Sequence, residues 1–328
     1  MNSYRLFLVI LLVISFSVCA SQSFAGVEEK TRSIEEIAEA VIPCVVVVRT
    51  DKGSGTGFFV TYDGKVMTNF HVVEGAQKIE VQNHQGEIFP VKKILARDEK
   101  NDLALLLVDI PKTKVHSLTL NPFLPRKGTA IVVVGNPLNF AFSVYCGYVA
   151  NIVDIPPLKD LIQLDVTAYP GSSGSPVVNL RGEVIGIVKG RYQGWERINF
   201  AIPAQKALQL DYEVSVETGD RLASRGKYAE AIEAYTGAIN CGFRPFKALY
   251  GRARAYYNLG QWKEALQDLT RALEFEPRLP QIYYARGLCF LRLGDCSSAR
   301  KEHASLASLD ASLAQQLLNL IRGRCPEF

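Results

Sequence analysis

The chain divides into an all-β front half, built as barrels or a sandwich, and an all-α rear half built as a solenoid. Three observations predict this. Between Val45 and Pro203, short β-branched and apolar runs alternate with Gly, Pro, Asn and Asp, the pattern of many short strands between turns. A proline-punctuated stretch without strand periodicity, residues 112–127, splits that region in two. After Pro203, Gly226, Gly260 and Gly294 recur 34 residues apart, as do Ala231, Ala265 and Ala299. That is the period of a helix-turn-helix solenoid.

The elements follow in order. Arg5, then the apolar run Leu6 to Val18, then small residues with cleavage expected after Ala20 or Ala25, make residues 1–25 a signal peptide. The run is too short for a comfortable span and fits a secretory signal. A periplasmic or secreted location is therefore expected, with no membrane segment after signal cleavage. Residues 33–41 predict a short helix with Ser33 as N-cap and Glu36 at the capping-box position. Strands are expected at 45–50, 57–61, 66–69, 78–82 and 103–109. A second set is expected at 130–134, 143–153, 161–165, 176–179 and 183–188. The connector between the two sets is placed at about 111–128.

Behind Pro203, three repeats are expected at 212–245, 246–279 and 280–311, then a capping helix and tail at 312–328. Each repeat glycine permits a tight interhelical turn, and each alanine lets two helices approach closely. Tyr235, Tyr256 and Tyr257 are expected to fill gaps between layers. Leu313, Leu317, Leu320 and Ile321 form the apolar stripe of the cap at helical spacing.

Composition narrows the classes. Hydrophobic residues at 48% against 21% charged exclude a disordered chain. A net charge of +4 without a basic cluster gives no case for nucleic acid. Seven cysteines, less Cys19 in the signal, leave six, which allow fifteen pairings that sequence does not decide. There is no CxxC, so neither a metal nor a redox site is expected, and no cofactor. Cys44, set in an apolar run, reads as a buried free thiol.

The chemistry lies in three segments. Gly171-Ser172-Ser173-Gly174-Ser175-Pro176 is a glycine-flanked serine turn, preceded along the chain by a segment around His71 and another around Asp102. A serine hydroxyl is a poor nucleophile until a base takes its proton. Histidine, whose ordinary pKa is about 6.5, suits that role near neutral pH. A carboxylate behind the imidazole fixes its tautomer, and backbone N–H groups stabilise the developing oxyanion. The reading is His71 as base, Asp102 as orienting acid and Ser173 as nucleophile. Asp102 is chosen because it directly precedes the apolar run Leu103-Ala104-Leu105-Leu106. The oxyanion hole is expected at Gly171, Ser172 and Ser173.

These segments, with Gly53-Ser54-Gly55-Thr56-Gly57-Phe58 and Ile198-Asn199-Phe200-Ala201-Ile202-Pro203, resemble the HtrA/Deg group of trypsin-like serine proteases over residues 33–203. The resemblance implies a chymotrypsin-like double barrel and a homo-oligomer. It also implies that Val188, Lys189 and Gly190 form a strand edge that pairs with substrate backbone. Thr167, Ala168, Lys189 and a residue near Asn199 would line the specificity pocket. No carboxylate stands at those positions, so a small or medium apolar residue is expected before the cut. Two departures stand out: Ser172 replaces the usual Asn before the nucleophile, and Ser175 the usual Gly two residues after it. The rear half is similar to tetratricopeptide repeats, in place of the group's PDZ module. The carboxylate clamp that some such repeats carry is absent, with Val216 and Asp220 at its first-repeat positions.

Lys247, Tyr250, Arg254, Tyr257 and Tyr284, with Gln281 and Arg292, are expected on the inner face of the repeats as a peptide groove. The expected function is an exported serine endopeptidase acting on polypeptides, with repeats that recruit a protein partner or substrate. The alternative is a protease-like scaffold or a chaperone-like binding protein.

Overall fold

The computed structural model describes residues 32–325 apart from 137–139, 141, 156–157, 167–169, 191–197, 242 and 244. The expected signal segment lies outside the described residues. The described chain opens on α1 (Ile34–Val41). Here Ser33 Oγ accepts from the Glu36 N–H, and the Glu36 carboxylate accepts from the Ser33 N–H. This reciprocal pair satisfies donors that a first helical turn leaves without partners.

Two closed antiparallel barrels follow, which settles the choice against a sandwich. β1 (Val45–Thr50), β2 (Gly53–Phe59), β3 (Lys65–Thr68), β4 (Ile79–Gln82), β5 (Ile88–Asp98) and β6 (Leu103–Val108) close in the order β1-β2-β3-β6-β5-β4. The second barrel comprises β7 (Ala130–Gly135), β8 (Ser143–Ile155), β9 (Leu158–Asp165), β10 (Pro176–Asn179), β11 (Val184–Gly190) and β12 (Asn199–Pro203). Its order, β7-β8-β9-β12-β11-β10, repeats that of the first.

Successive side chains on a strand face opposite sides, and here both sides are apolar. From β6, Ala104, Leu106 and Val108 fill the first barrel with Val46, Val48 and Phe59. Leu103 and Leu105 face outward and join Val132, Val134, Val178 and Ile187 of the second barrel in one shared cluster. The unbroken apolar run is thus the mark of a strand buried on two faces. β5 was not expected from sequence. Pro90, Lys92 and Lys93 interrupt it, and register shifts at Val91/Lys93 and Ile94/Ala96 break its alternation.

The connector is a strap. The Leu118 N–H donates to Phe59 O, the Val184 N–H to Thr119 O, and the Asn121 N–H to Val184 O. It therefore bonds to both barrels, and Leu118 and Leu120 are buried in the shared cluster.

The rear half comprises α3 (Ala204–Ser224), α4 (Tyr228–Asn240), α5 (Phe246–Asn258), α6 (Trp262–Phe275), α7 (Pro280–Arg292), α8 (Cys296–Ala307) and α9 (Ala311–Arg324). Gly226, Gly260 and Gly294 sit at φ 75, 78 and 77° between paired helices, a region that glycine enters without strain. Tyr235 is buried. A Cβ on Gly219 or Gly251 would stand 2.5 Å from its ring, so two bare backbones make its slot. In the cap, Ala314, Leu317 and Ile321 are buried. Leu320, expected in the stripe, is 39% exposed. A Cys296–Cys325 disulfide ties α8 to the end of α9, and Cys44, Cys146, Cys241 and Cys289 are free thiols. Burial pushes the Cys44 thiol up to about 11 and Cys289 to about 12, so both stay protonated at neutral pH.

No linker separates the halves. α3 begins directly after β12, and its Ala204, Ala207 and Leu208 belong to the cluster shared by the barrels. Further along α3, Asp211 Oδ1 accepts from Lys65 Nζ of β3 at 2.7 Å, with side chains 4% and 14% exposed. Lys65 also donates to Ser215 Oγ (3.1 Å), and the Cys241 thiol donates to Asp211 Oδ2 (3.0 Å). Removing one partner of a buried pair strands the other charge, at about 3–5 kcal/mol. Asp211→Ala is therefore expected to lower stability by about that much in urea unfolding. A loss under about 1 kcal/mol would mean that solvent reaches Lys65.

Candidate active site

The first barrel supplies two of the expected groups. β3 ends at Thr68, and the chain turns through Asn69 into the short helix α2 (Phe70–Val73), which carries His71. Asp102 precedes β6 at φ 58°, a left-handed conformation that Asp tolerates better than most residues. Its carbonyl accepts from Asn69 Nδ2 (3.0 Å) and from the Phe70 N–H (3.2 Å). Its carboxylate takes the His71 backbone N–H at Oδ1 (3.0 Å), and ring Nδ1 lies 2.9 Å from Oδ2. One side chain thus fixes both the backbone and the ring of His71. An ionised carboxylate only accepts, so Nδ1 carries the proton and Nε2 the lone pair in the neutral imidazole. The Asp102 side chain is 12% exposed and that of His71 45%, which suits a held acid and an accessible base.

The second barrel supplies the serine. The Ser175 N–H donates to Ser172 O at 3.0 Å, and Gly174 has φ 88°. That is a type II turn with Ser173 at its second position and the obligatory glycine third. Glycine is needed for a second reason: a Cβ there would lie 2.0 Å from Thr56 O and 2.7 Å from Thr68 Oγ1. The turn is pressed against the first barrel, and Ser173 O accepts the Thr56 N–H at 2.8 Å. Gly55 lies between the two halves of the site. A Cβ on it would stand 2.7 Å from the Val72 side chain and 3.2 Å from Ser173 O.

Among the described residues, the N–H groups of Gly171 and Ser173 donate to no protein acceptor. Gly171 has φ 95°. Ser172 is buried, and its hydroxyl has no hydrogen-bond partner among the described residues. The Ser175 side chain, a departure from the Deg pattern, is buried opposite Gly135. A Cβ at Gly135 would meet Ser175 Oγ at 2.1 Å, so the missing side chain on β7 makes room for the added one.

Among the described residues, no hydrogen bond joins Ser173 Oγ to the imidazole. Such bonds are often long without substrate and tighten in its presence.

The remaining site expectations fare unevenly. Thr167 and Ala168 lie outside the described residues, while Asn199 Nδ2 donates to Val166 O at 2.6 Å beside them. Val188 cannot serve as a free substrate edge. Its N–H donates to Ser175 O and its carbonyl accepts from the Gly174 N–H, both at 2.9 Å. Beyond it the β11–β12 register shifts before Gly190 pairs with Phe200. In the repeats, Tyr250, Arg254, Tyr257 and Tyr284 line one cavity of about 300 Å³ with Asn258 and Leu288. Arg292 caps Tyr257, its Nε 3.0 Å from the hydroxyl and its guanidinium over the ring. Lys247 is exposed and is not among the lining residues. Burial pushes the Tyr250 hydroxyl up, against the pull of Arg254.

Comparison with known proteins agrees with the fold. Residues 55–187, which include His71, Asp102 and Ser173, match the family model of the trypsin-like peptidase domain, and residues 253–294 match a TPR repeat. A probable periplasmic serine endoprotease, DegP-like, from Chlamydia trachomatis is 39% identical over 169 residues, covering 49% of this chain and 33% of the relative. One of the same description from a Marinomonas species is 35% identical over 187 residues, covering 54% and 37%. The chain thus spans about a third of the length of these curated relatives. The crystal structure of the serine endoprotease from Yersinia pestis superposes with a TM-score of 0.50 at 28% identity, covering 56% of this chain and 66% of that one. Among the described residues, no helix is long and apolar enough to cross a membrane. The double barrel of this chain is a trypsin-like peptidase domain homologous to HtrA/DegP proteins, and a TPR repeat follows it at residues 253–294.

Proposed function

We propose that the chain is an exported serine endopeptidase that cleaves polypeptides through His71, Asp102 and Ser173, with the helical repeats recruiting a protein partner or substrate. The observation that carries this reading is the held imidazole–carboxylate pair, 2.9 Å apart, together with a serine turn whose Gly171 and Ser173 N–H groups donate to no acceptor among the described residues. His71 Nε2 takes the proton of Ser173 Oγ as the oxygen attacks the peptide carbonyl. The oxyanion receives the two N–H donors, worth several kcal/mol of barrier in a dry site. The imidazolium, stabilised by Asp102, then protonates the leaving amine. Water activated by His71 releases the acyl group and restores Ser173. The expected export rests on the N-terminal signal pattern and on the periplasmic description of the relatives.

The scaffold reading has one observation in its favour, the absent Ser173–imidazole hydrogen bond. Incubating the full chain with reduced, unfolded casein separates the two. The enzyme reading expects fragments, and expects diisopropyl fluorophosphate to block their formation. Intact casein after incubation with folded protein would favour the scaffold.

A further inference from the structure

The site as read from sequence gives no role to Thr56, yet this buried residue of β2 bonds to the carbonyls of both Gly171 and Ser173. Its Oγ1 donates to Gly171 O at 2.8 Å and accepts from the Asn136 N–H at 3.0 Å. Its backbone N–H donates to Ser173 O at 2.8 Å, and its carbonyl accepts from Thr68 Oγ1 at 2.7 Å. Thr68 in turn is three residues from His71. Thr56 is fully buried, so water cannot replace these bonds, and a lost partner would leave a buried carbonyl or N–H unsatisfied.

The arrangement is a clamp. Gly171 and Ser173 bear the two candidate oxyanion donors, and the carbonyl of each is pinned to the same residue of the opposite barrel. Gly171 is glycine at φ 95°, the backbone freest to rotate away when its carbonyl is released. The Thr56 hydroxyl is the middle of a chain, Asn136 N–H to Oγ1 to Gly171 O. In such a chain each bond polarises the next. It also ties the oxyanion turn to the end of β7.

Resting on the proposed endopeptidase reading, we infer that Thr56 is a positioning residue: its hydroxyl holds the 171–172 peptide plane and so limits rotation at Gly171, whose own N–H, on the adjoining 170–171 plane, is the donor that transition-state stabilisation requires. It touches no reacting atom. It acts through Gly171, so its loss lowers kcat more than it raises KM. The residue it serves is an oxyanion donor, and removal of one such donor costs about 10²–10³ in kcat.

The test is steady-state hydrolysis of fluorescein-labelled casein by the full chain carrying Thr56→Val, Thr56→Ala or Thr56→Ser, with folding followed by circular dichroism. Valine keeps the shape and loses the hydroxyl, alanine loses both, and serine keeps the hydroxyl. The expected result is a fall of about 10²-fold in kcat for valine and alanine with KM changed less than about threefold. Serine is expected to stay within about threefold of wild type. Alanine or valine turning over at the wild-type rate would overturn the inference. So would serine losing as much as alanine, since that makes the methyl group, and hence packing, the cause. An inactive wild-type chain would instead strike the endopeptidase reading.

Discussion

Ser173→Ala is expected to lower turnover of an unfolded polypeptide by about 10⁶, the loss that follows removal of the nucleophile in a serine protease of another fold. The fold around the site should survive, because Ser173 contributes to the turn through its backbone. Its carbonyl takes the Thr56 N–H, and Gly174 sets the turn. Alanine leaves both intact. His71→Ala should cost nearly as much, and the double variant hardly more than either alone, since nucleophile and base act as a unit. Casein hydrolysis followed for days at high protein concentration checks this. A residual rate above about one hundredth of wild type in Ser173→Ala would point to a different nucleophile, with Ser172 and Ser175 the neighbours to examine.

Asp102→Asn is expected to lower kcat by about 10⁴, as the same change does in a trypsin-type triad. The substitution isolates the charge from the backbone. Asparagine enters the left-handed region as readily as aspartate, so φ 58° is kept. The carbonyl bonds from Asn69 and Phe70 do not involve the side chain. What changes is the group facing His71 Nδ1. The amide either offers its NH₂ to Nδ1, which forces the proton onto Nε2, or accepts as a neutral oxygen that stabilises the imidazolium poorly. Asp102→Ala adds a second cost, because alanine at positive φ is strained and the His71 N–H loses its acceptor. The alanine variant should therefore also unfold at lower urea than the asparagine variant. Equal kcat in wild type and Asp102→Asn would remove Asp102 from the mechanism.

The parts legible in the sequence are those whose signal is local. The 34-residue glycine register was readable because each glycine has its own reason to be there, a positive φ between paired helices. The capping box of Ser33 and Glu36 spans three residues and was equally plain. β5 was not legible, since its shifted register and its proline erase the alternation that marks a strand. Val188 misled for a related reason. A strand edge looks free in sequence, and only the fold shows the serine turn already bonded to it. Thr56 stands in a glycine-rich segment that by itself gives it no role. Its partners Gly171 and Asn136 lie 115 and 80 residues away, and no spacing rule reaches that far. The same holds for Gly135, whose missing side chain accommodates Ser175, and for the Cys296–Cys325 pairing, one of fifteen choices before the fold brought α8 and the end of α9 together.

In the proposed mechanism His71 activates Ser173 within one proton-transfer line. Treating the folded chain with diisopropyl fluorophosphate and locating the adduct by mass spectrometry tests it most directly, in wild type and in His71→Ala. A single adduct on Ser173 is expected in wild type, and almost none in His71→Ala over the same interval. An unlabelled wild-type chain, or equal labelling in both, would contradict it.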